Sequence, residues 1–370
     1  FLLPHIFLPC LYYIILQTGK EQLSFLKPLI VVKTAAAKGR QIKAPIIALF
    51  DIIYYMQNFN FYCQYLGLKA LILLIRLMPW GIALKFGEVL GRLITLVMPK
   101  RFKRTKEDIK KAFPSKSQEE VDQIALESWR NIGRLSAEFV KAAYMDKEEI
   151  LSKVEIIGLE EVAERNAAGK GCILHLGHFT NWEIAGLVVS ILFKNVCFIA
   201  KPQTNPYVDK EVNRLRSILG ARYIRAYNPC FSCFKALKKG GLISILSDQS
   251  VHASKLYMPF LGRAAEVAPL TAVLSLKAQV PVYAIRIYRR GGKIVIEKTE
   301  TILPPQTEYS HKAVFDYTVL LKSKLEEFIR LAPETWLWGH NRWKREKDCI
   351  EAMKLQEKES EVQNKNGGEA

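Results

Sequence analysis

The stretch Gly171-Cys172-Ile173-Leu174-His175-Leu176-Gly177-His178-Phe179-Thr180-Asn181-Trp182-Glu183 begins as a strand and ends in a helix. Gly171–Leu176 is a short apolar run of the kind that forms a buried strand. Thr180–Phe193 reads as the helix that follows. His178 therefore falls in the loop at the carboxyl end of a strand, where open α/β sheets bind their ligands. Similar short runs recur at Val154–Ile157, Val196–Ala200, Leu242–Leu246, Val280–Ile287 and Lys293–Glu297. Helical segments lie between several of them: Leu159–Ala168, Pro206–Leu219, Phe231–Lys238, Val267–Ala278 and His311–Leu331. The alternation predicts an α/β fold, a mostly parallel mixed sheet flanked by helices. The last two strands, joined through Arg289-Arg290-Gly291-Gly292, predict an antiparallel edge.

Upstream the pattern is different. Residues 1–60 mix apolar and basic patches and form an extension of uncertain role. Phe1–Leu16 resembles a signal core only loosely, since no basic segment precedes it. Ala44–Met56 is too short to span a bilayer. Residues 61–113 read as membrane-associated helices. Within them, Leu66–Met98 forms two amphipathic helices broken at Pro79-Trp80, with thin basic stripes (Lys69 and Arg76, Lys85 and Arg92) suited to a lipid interface. Two core helices with a solvated edge would show the same period. The dense run Lys100–Lys106 reads as a contact with anionic headgroups or as a solvated loop. Ser117 and Glu120 suggest a capping box for a helix over Ser117–Met145. Residues 114–345 then form the α/β domain, and 346–370 a charged, disordered tail.

Charge narrows the partners. Among 370 residues, 54 Lys and Arg face 36 Asp and Glu, a net +18, while 49% of the residues are hydrophobic. The partner is expected to be acidic. No zinc-finger spacing, basic heptad region or RNA-binding aromatic signature is present, so nucleic acid is set aside in favour of an anionic membrane surface. Seven scattered cysteines argue against a secreted disulfide framework and for a reducing compartment. Cys230 and Cys233 form a lone CxxC pair with no second pair to complete a metal site.

The chemistry centres on His178. A histidine just ahead of a helix N-terminus feels the positive end of the helix dipole, which favours the neutral ring that can act as a base. Glu183, in the first helical turn, can fold back to accept a hydrogen bond from one ring nitrogen and leave the other for a substrate hydroxyl. Thr180-x-x-Glu183 also matches a capping box, in which Glu183 serves only the backbone. His175 reads as a packing or turn-supporting residue. A Gly-x-Ser-x-Gly elbow, a P-loop and a Rossmann fingerprint are absent, so neither a serine hydrolase nor a nucleotide cofactor is expected. The chemistry calls for no metal.

His178-Phe179-Thr180-Asn181-Trp182-Glu183 resembles the His-x4-Glu motif of bacterial lipid A late acyltransferases, the lauroyl/myristoyl branch of the lysophospholipid-acyltransferase superfamily. Further blocks follow in order: Lys201-Pro202-x-x-Asn205-Pro206 with Asn213-Arg214-Leu215-Arg216, Ser247-Asp248-Gln249, Pro259-Phe260-Leu261-Gly262-Arg263, and Trp336–Lys344. The resemblance spans roughly residues 60–345. It implies that His178 and Glu183 are catalytic. Arg216, or alternatively Arg214, would bind phosphate or the carbonyl. Asp248 would be a site carboxylate, and Arg263 a headgroup ligand. Trp336, Trp338 and Trp343 would be interface anchors or a packed aromatic cluster. The implied reaction moves a fatty acyl chain from acyl carrier protein to a hydroxyl of a lipid A precursor, without a cofactor beyond that thioester. The implied place is the cytoplasmic side of the inner membrane, in peripheral or monotopic association with anionic lipid. The same chemistry on a phospholipid or another glycolipid is the first alternative, and a catalytically silent membrane-surface scaffold the second.

Overall fold

The structure, a computed structural model, describes residues 44–366 apart from 221, 227, 228 and 251–253, with side chains over 55–356. The expectations for residues 1–43 and for the last four residues lie outside the described range.

The described residues begin with four long helices: α1 (Ala44–Leu77), α2 (Trp80–Val97), α3 (Pro99–Ala112) and α4 (Gln118–Ala142). The break between α1 and α2 falls at Pro79, which precedes the first residue of α2. Ser117 and Glu120 form the expected capping box at α4. The run Lys100–Lys106 is not a loop. It lies inside α3, where Arg101 is buried and Lys106 pairs with Asp122. The cause is local, because Pro99 at the first helical position presets the backbone and the basic residues continue it. A buried face of α2 presents Gly87 and Gly91 to Gly133 of α4. A Cβ at Gly133 would overlap the Gly87 carbonyl oxygen, and one at Gly87 the Gly133 carbonyl, so these backbones touch only because all three residues are glycine. The outer face of α2 is apolar: Ile82, Val89, Leu93 and Leu96 are 48–73% exposed at helical spacing. No helix among the described residues is long and apolar enough to cross a membrane.

The α/β domain continues through α5 (Lys147–Ser152), β1 (Val154–Ile157), α6 (Glu160–Ala167), β2 (Cys172–Leu176), α7 (Trp182–Leu192), β3 (Val196–Ala200), α8 (Pro206–Arg216), β4 (Arg222–Arg225), α9 (Cys230–Lys238) and β5 (Leu242–Leu246). There follow β6 (Tyr257–Phe260), β7 (Arg263–Glu266), α10 (Leu270–Ala278), β8 (Val282–Arg290), β9 (Lys293–Ile302), α11 (His311–Leu331) and α12 (Glu346–Asn366). Seven strands form one sheet in the order β1-β9-β8-β2-β5-β3-β4, parallel except for the β8–β9 pair. That pair is not the edge. β1 adds in parallel to β9 and covers it. The β8–β9 turn places Gly291 and Gly292 at φ +56° and +81°, which matches a type I′ hairpin.

Chain direction explains where the site lies. From β2 the chain runs through α7 to β3 on one side, and from β5 through α10 to β8 on the other. β2 and β5 are adjacent, so a crevice opens at their carboxyl ends. Ile173, Val188, Ile243, Val282 and Leu325 are fully or almost fully buried in the core beneath it. The expected tail is instead α12, docked on the small β6–β7 hairpin. Glu346 pairs with Arg263, and Cys349 is 3% exposed. A polar helix of this kind holds its form through its docking contacts rather than through propensity.

Candidate active site

Register sets the central pair. β2 and β5 run parallel with Leu176 opposite Leu246, and the Ser247 N–H extends the ladder to the Leu176 carbonyl. His178 and Asp248 lie the same two residues beyond, so they leave the sheet at one level. His178 Nδ1 lies 2.7 Å from Asp248 Oδ1, and the His178 backbone N–H donates to Oδ2 at 3.1 Å. The Trp336 indole N–H donates to the same Oδ2 at 2.7 Å. Asp248 is 1% exposed. Burial alone would raise its pKa, but the His178 ring and these N–H donors hold it well below the usual carboxylate range. An ionised Asp248 can only accept here, so the ring proton sits on Nδ1 and the lone pair on Nε2, which accepts from the Gln249 amide N–H at 3.3 Å. The Trp182 ring packs edge-on against the imidazole at 4.9 Å.

The orienting carboxylate on the ring is thus Asp248, where the sequence suggested Glu183. Glu183 is 7% exposed and takes a two-pronged contact from Arg216, with Nε–H donating to Oε2 at 2.9 Å and the second bond running from Nη2 to Oε1. The reason is placement. Glu183 stands on α7 over the end of α8, which carries Arg216, while the strand register delivers Asp248 to the ring. The capping-box reading also gives way. Asn181 is the N-cap, accepting from Ile184 N–H at 2.9 Å, and Thr180 sits at φ +40° with its hydroxyl buried. That conformation strains a β-branched residue.

The closing segment holds the strained loop. Thr180 N–H donates to the Thr335 carbonyl, Leu337 N–H to the His178 carbonyl, and Phe179 bridges Trp336. From α4, the Ser128 hydroxyl donates to the Trp336 carbonyl at 2.7 Å. Trp336, Trp338 and Trp343 are 1–6% exposed and pack with Phe260, so they serve the core and the Asp248 contact rather than an interface belt. Arg263 is likewise internal. It pairs with Asp108 and Glu346 and lies over the Trp343 ring, which leaves no face for a headgroup. Arg214 is two residues from Arg216, so it points to nearly the opposite side of α8, and it pairs with Glu211 and the Tyr144 hydroxyl. His175 is buried and donates to the Leu321 carbonyl at 3.0 Å, and burial pushes its pKa down to about 4. Cys233 of the CxxC pair is a buried thiol pushed up to about 12 by desolvation. Trp336 and Gln249 were quoted in the sequence blocks without a role at the histidine.

The carboxyl edge of the parallel sheet thus carries His178 held between Asp248 and Gln249, and on the neighbouring helices the Arg216–Glu183 pair. The family described as bacterial lipid A biosynthesis acyltransferase matches residues 56–345, and the chain belongs to it: the protein is an acyltransferase. It is 24% identical over 297 residues to the lipid A biosynthesis lauroyltransferase of Escherichia coli K12, covering 77% of this chain and 92% of that protein. The lipid A biosynthesis acyltransferase of Haemophilus influenzae is 22% identical over 272 residues, covering 72% and 83%. The palmitoleoyltransferase of the same pathway in Escherichia coli K12 is 22% identical over 293 residues, covering 77% and 92%.

Proposed function

We propose that the protein moves a fatty acyl chain from the thioester of an acyl carrier protein to a hydroxyl of a lipid A precursor, with His178 as general base. The observation that carries this reading is the 2.7 Å contact of Asp248 on His178 Nδ1, which puts the lone pair on Nε2, where a substrate hydroxyl takes the place of the Gln249 amide. The acceptor hydroxyl gives its proton to Nε2 as its oxygen attacks the thioester carbonyl. Arg216, steadied by Glu183, stabilises the oxyanion. Collapse breaks the C–S bond, and the leaving thiolate takes the proton back from the imidazolium. The acyl thioester is the only co-substrate in this scheme. Supporting it are the relatives' lipid A acyl-transfer names and a +18 charge suited to an acidic carrier and a phosphorylated acceptor. The exposed apolar face of α2 supports peripheral or monotopic association with the inner membrane.

The test uses purified full chain in mixed micelles with acyl carrier thioester and lipid A precursor, and mass spectrometry of the lipid. Wild type is expected to transfer the acyl chain, and His178→Ala to lose about 10²–10⁴ of the rate. No transfer to the precursor refutes the acceptor, and activity on lysophospholipid instead favours a phospholipid substrate. Unchanged turnover in His178→Ala refutes the mechanism for any acceptor.

A further inference from the structure

Gln249 follows Asp248 just beyond the carboxyl end of β5, and its amide nitrogen lies 3.3 Å from His178 Nε2. A hydroxyl that yields its proton to Nε2 must sit about 2.6–3.2 Å from that atom, so the amide occupies the place of the reacting oxygen. The backbone of Gln249 is held on both sides. Before it, Asp248 accepts from three N–H groups. After it, the Ser250 hydroxyl donates to the Arg342 carbonyl at 3.1 Å and accepts from the Arg342 guanidinium at 3.0 Å, and Arg342 is 2% exposed. The Gln249 side chain itself is half-buried, with room to turn. An arriving hydroxyl therefore displaces the amide through the side chain's own torsions, and the N–H groups stay beside the reacting atoms.

The residue type fits that place. A carboxylate at Nε2 would accept from the ring and, with Asp248 on Nδ1, would hold it doubly protonated. A lysine would set a positive charge against the imidazolium that forms when the base takes a proton. An amide does neither. It donates to Nε2 while Asp248 accepts from Nδ1, so both neighbours call for the same tautomer. It also keeps its own protons, so Gln249 covers the base at rest without quenching it.

Resting on the acyl-transfer reading above, we infer that Gln249 is a catalytic residue: its amide N–H, displaced from Nε2 by the acceptor hydroxyl, donates to the thioester carbonyl oxygen as negative charge develops there. The hydroxyl proton passes to Nε2 while its oxygen forms the new C–O bond. The carbonyl electron pair moves onto the carbonyl oxygen, where the Gln249 amide shares with Arg216 the task of holding it. Collapse returns that pair to the carbonyl, breaks the C–S bond, and the imidazolium gives its proton to the leaving thiolate. When the product leaves, the amide returns to Nε2. The bond to the oxyanion is made in the transition state alone, because at rest the amide is engaged with the base. An interaction of that kind raises kcat and leaves substrate binding almost untouched.

Gln249→Met keeps the length of the side chain and removes the donor. With the full chain in mixed micelles, acyl carrier thioester and lipid A precursor, it is expected to lose about 10²–10³ of kcat, the effect of deleting one oxyanion donor, with KM within about twofold of wild type. If Gln249 merely plugs the base, its removal raises kcat/KM, and that result overturns the inference. A role in packing alone lowers the thermal midpoint and leaves the kcat of the folded enzyme near wild type, which overturns it as well. Gln249→Glu covers the case in which the methionine variant misfolds. It keeps the shape, cannot donate, and is expected to fall at least as far, so more than a tenth of wild-type kcat in Gln249→Glu refutes the donor. Arg290→Gln, which removes an exposed cation paired with Glu155, is expected to keep wild-type kcat. His178→Ala separates this inference from the reading beneath it. Wild-type turnover in His178→Ala sinks the base itself, whereas a dead His178→Ala beside a fully active Gln249→Met sinks only the role of Gln249. Transfer to lysophospholipid in place of the precursor moves the same comparison to that acceptor. There a fall of about a hundredfold in Gln249→Met supports the donor, and an unchanged kcat refutes it.

Discussion

Asp248→Asn is the sharpest perturbation of this site, because Asp248 accepts from three N–H groups and donates to none. Oδ1 takes His178 Nδ1–H at 2.7 Å, and Oδ2 takes both the His178 backbone N–H and the Trp336 indole N–H. Asparagine offers one acceptor oxygen and one NH2. Placing its oxygen at Oδ2 keeps two bonds, and placing it at Oδ1 keeps one while setting the NH2 against two donors. Each buried donor left unsatisfied costs about 1–3 kcal/mol, so the first arrangement wins. The NH2 then faces Nδ1, which must present its lone pair, and the proton moves to Nε2. The base is lost although the geometry is intact. The same swap in a serine-protease triad lowers kcat about 10⁴-fold, or roughly 5 kcal/mol, and a fall of 10³–10⁴ in kcat with KM little changed is expected here. Single-turnover transfer from radiolabelled acyl carrier thioester reads it. Glu183→Gln, which leaves the Asp248 contact in place, runs alongside. More than a tenth of wild-type kcat in Asp248→Asn would refute the tautomer argument, as would loss of activity confined to Glu183→Gln.

Two further outcomes concern stability. His175 and His340 are buried, with pKa values pushed down by desolvation to about 4 and about 3 from an ordinary 6.5. The unfolded chain therefore binds protons first. Stability is full above pH 6.5 and falls as pH drops toward 4, by about 1.4 kcal/mol per histidine at pH 5.5, or roughly 3 kcal/mol together; urea midpoints equal at pH 7.5 and 5.5 would contradict this. Gly133→Ala forces a methyl against the Gly87 carbonyl, and separating α2 from α4 is expected to cost about 1–3 kcal/mol, read as a lower thermal midpoint.

How much of this was legible in the sequence depended on whether a feature was local. The strands Val154–Ile157, Val196–Ala200 and Leu242–Leu246 are short runs dominated by apolar residues, interrupted only by Glu155 and Ser244, and stand where the pattern puts them. β4 escaped notice because its ends, Arg222 and Arg225, are exposed at the edge of the sheet. The β6–β7 hairpin escaped because Pro259 and the buried Arg263 break any strand pattern. Arg263 misled as a headgroup ligand since its carboxylates, Asp108 and Glu346, lie 155 and 83 residues away. Tryptophans of a lipid belt and of a packed core have the same composition, so only burial separates them. The Asp248–His178 pair was nearer to hand: both residues follow apolar strands by the same two positions, and adjacency of those strands was the missing fact.

The site is also tied to the part of the molecule proposed to meet the membrane. Thr180 keeps φ +40° because Thr335, Trp336 and Leu337 fasten the loop on either side. That closing segment is fastened in turn by Ser128 of α4 and Arg104 of α3. α4 meets α2 backbone to backbone at Gly133, with no side chain between them to absorb a shift. The apolar face of α2 therefore reaches the base through two rigid contacts. Under the proposed membrane association, a bilayer that fixes the height of Leu93 and Leu96 also fixes the height of His178 Nε2. On the proposed reaction, substrate selection becomes a question of the depth at which a hydroxyl is presented to His178.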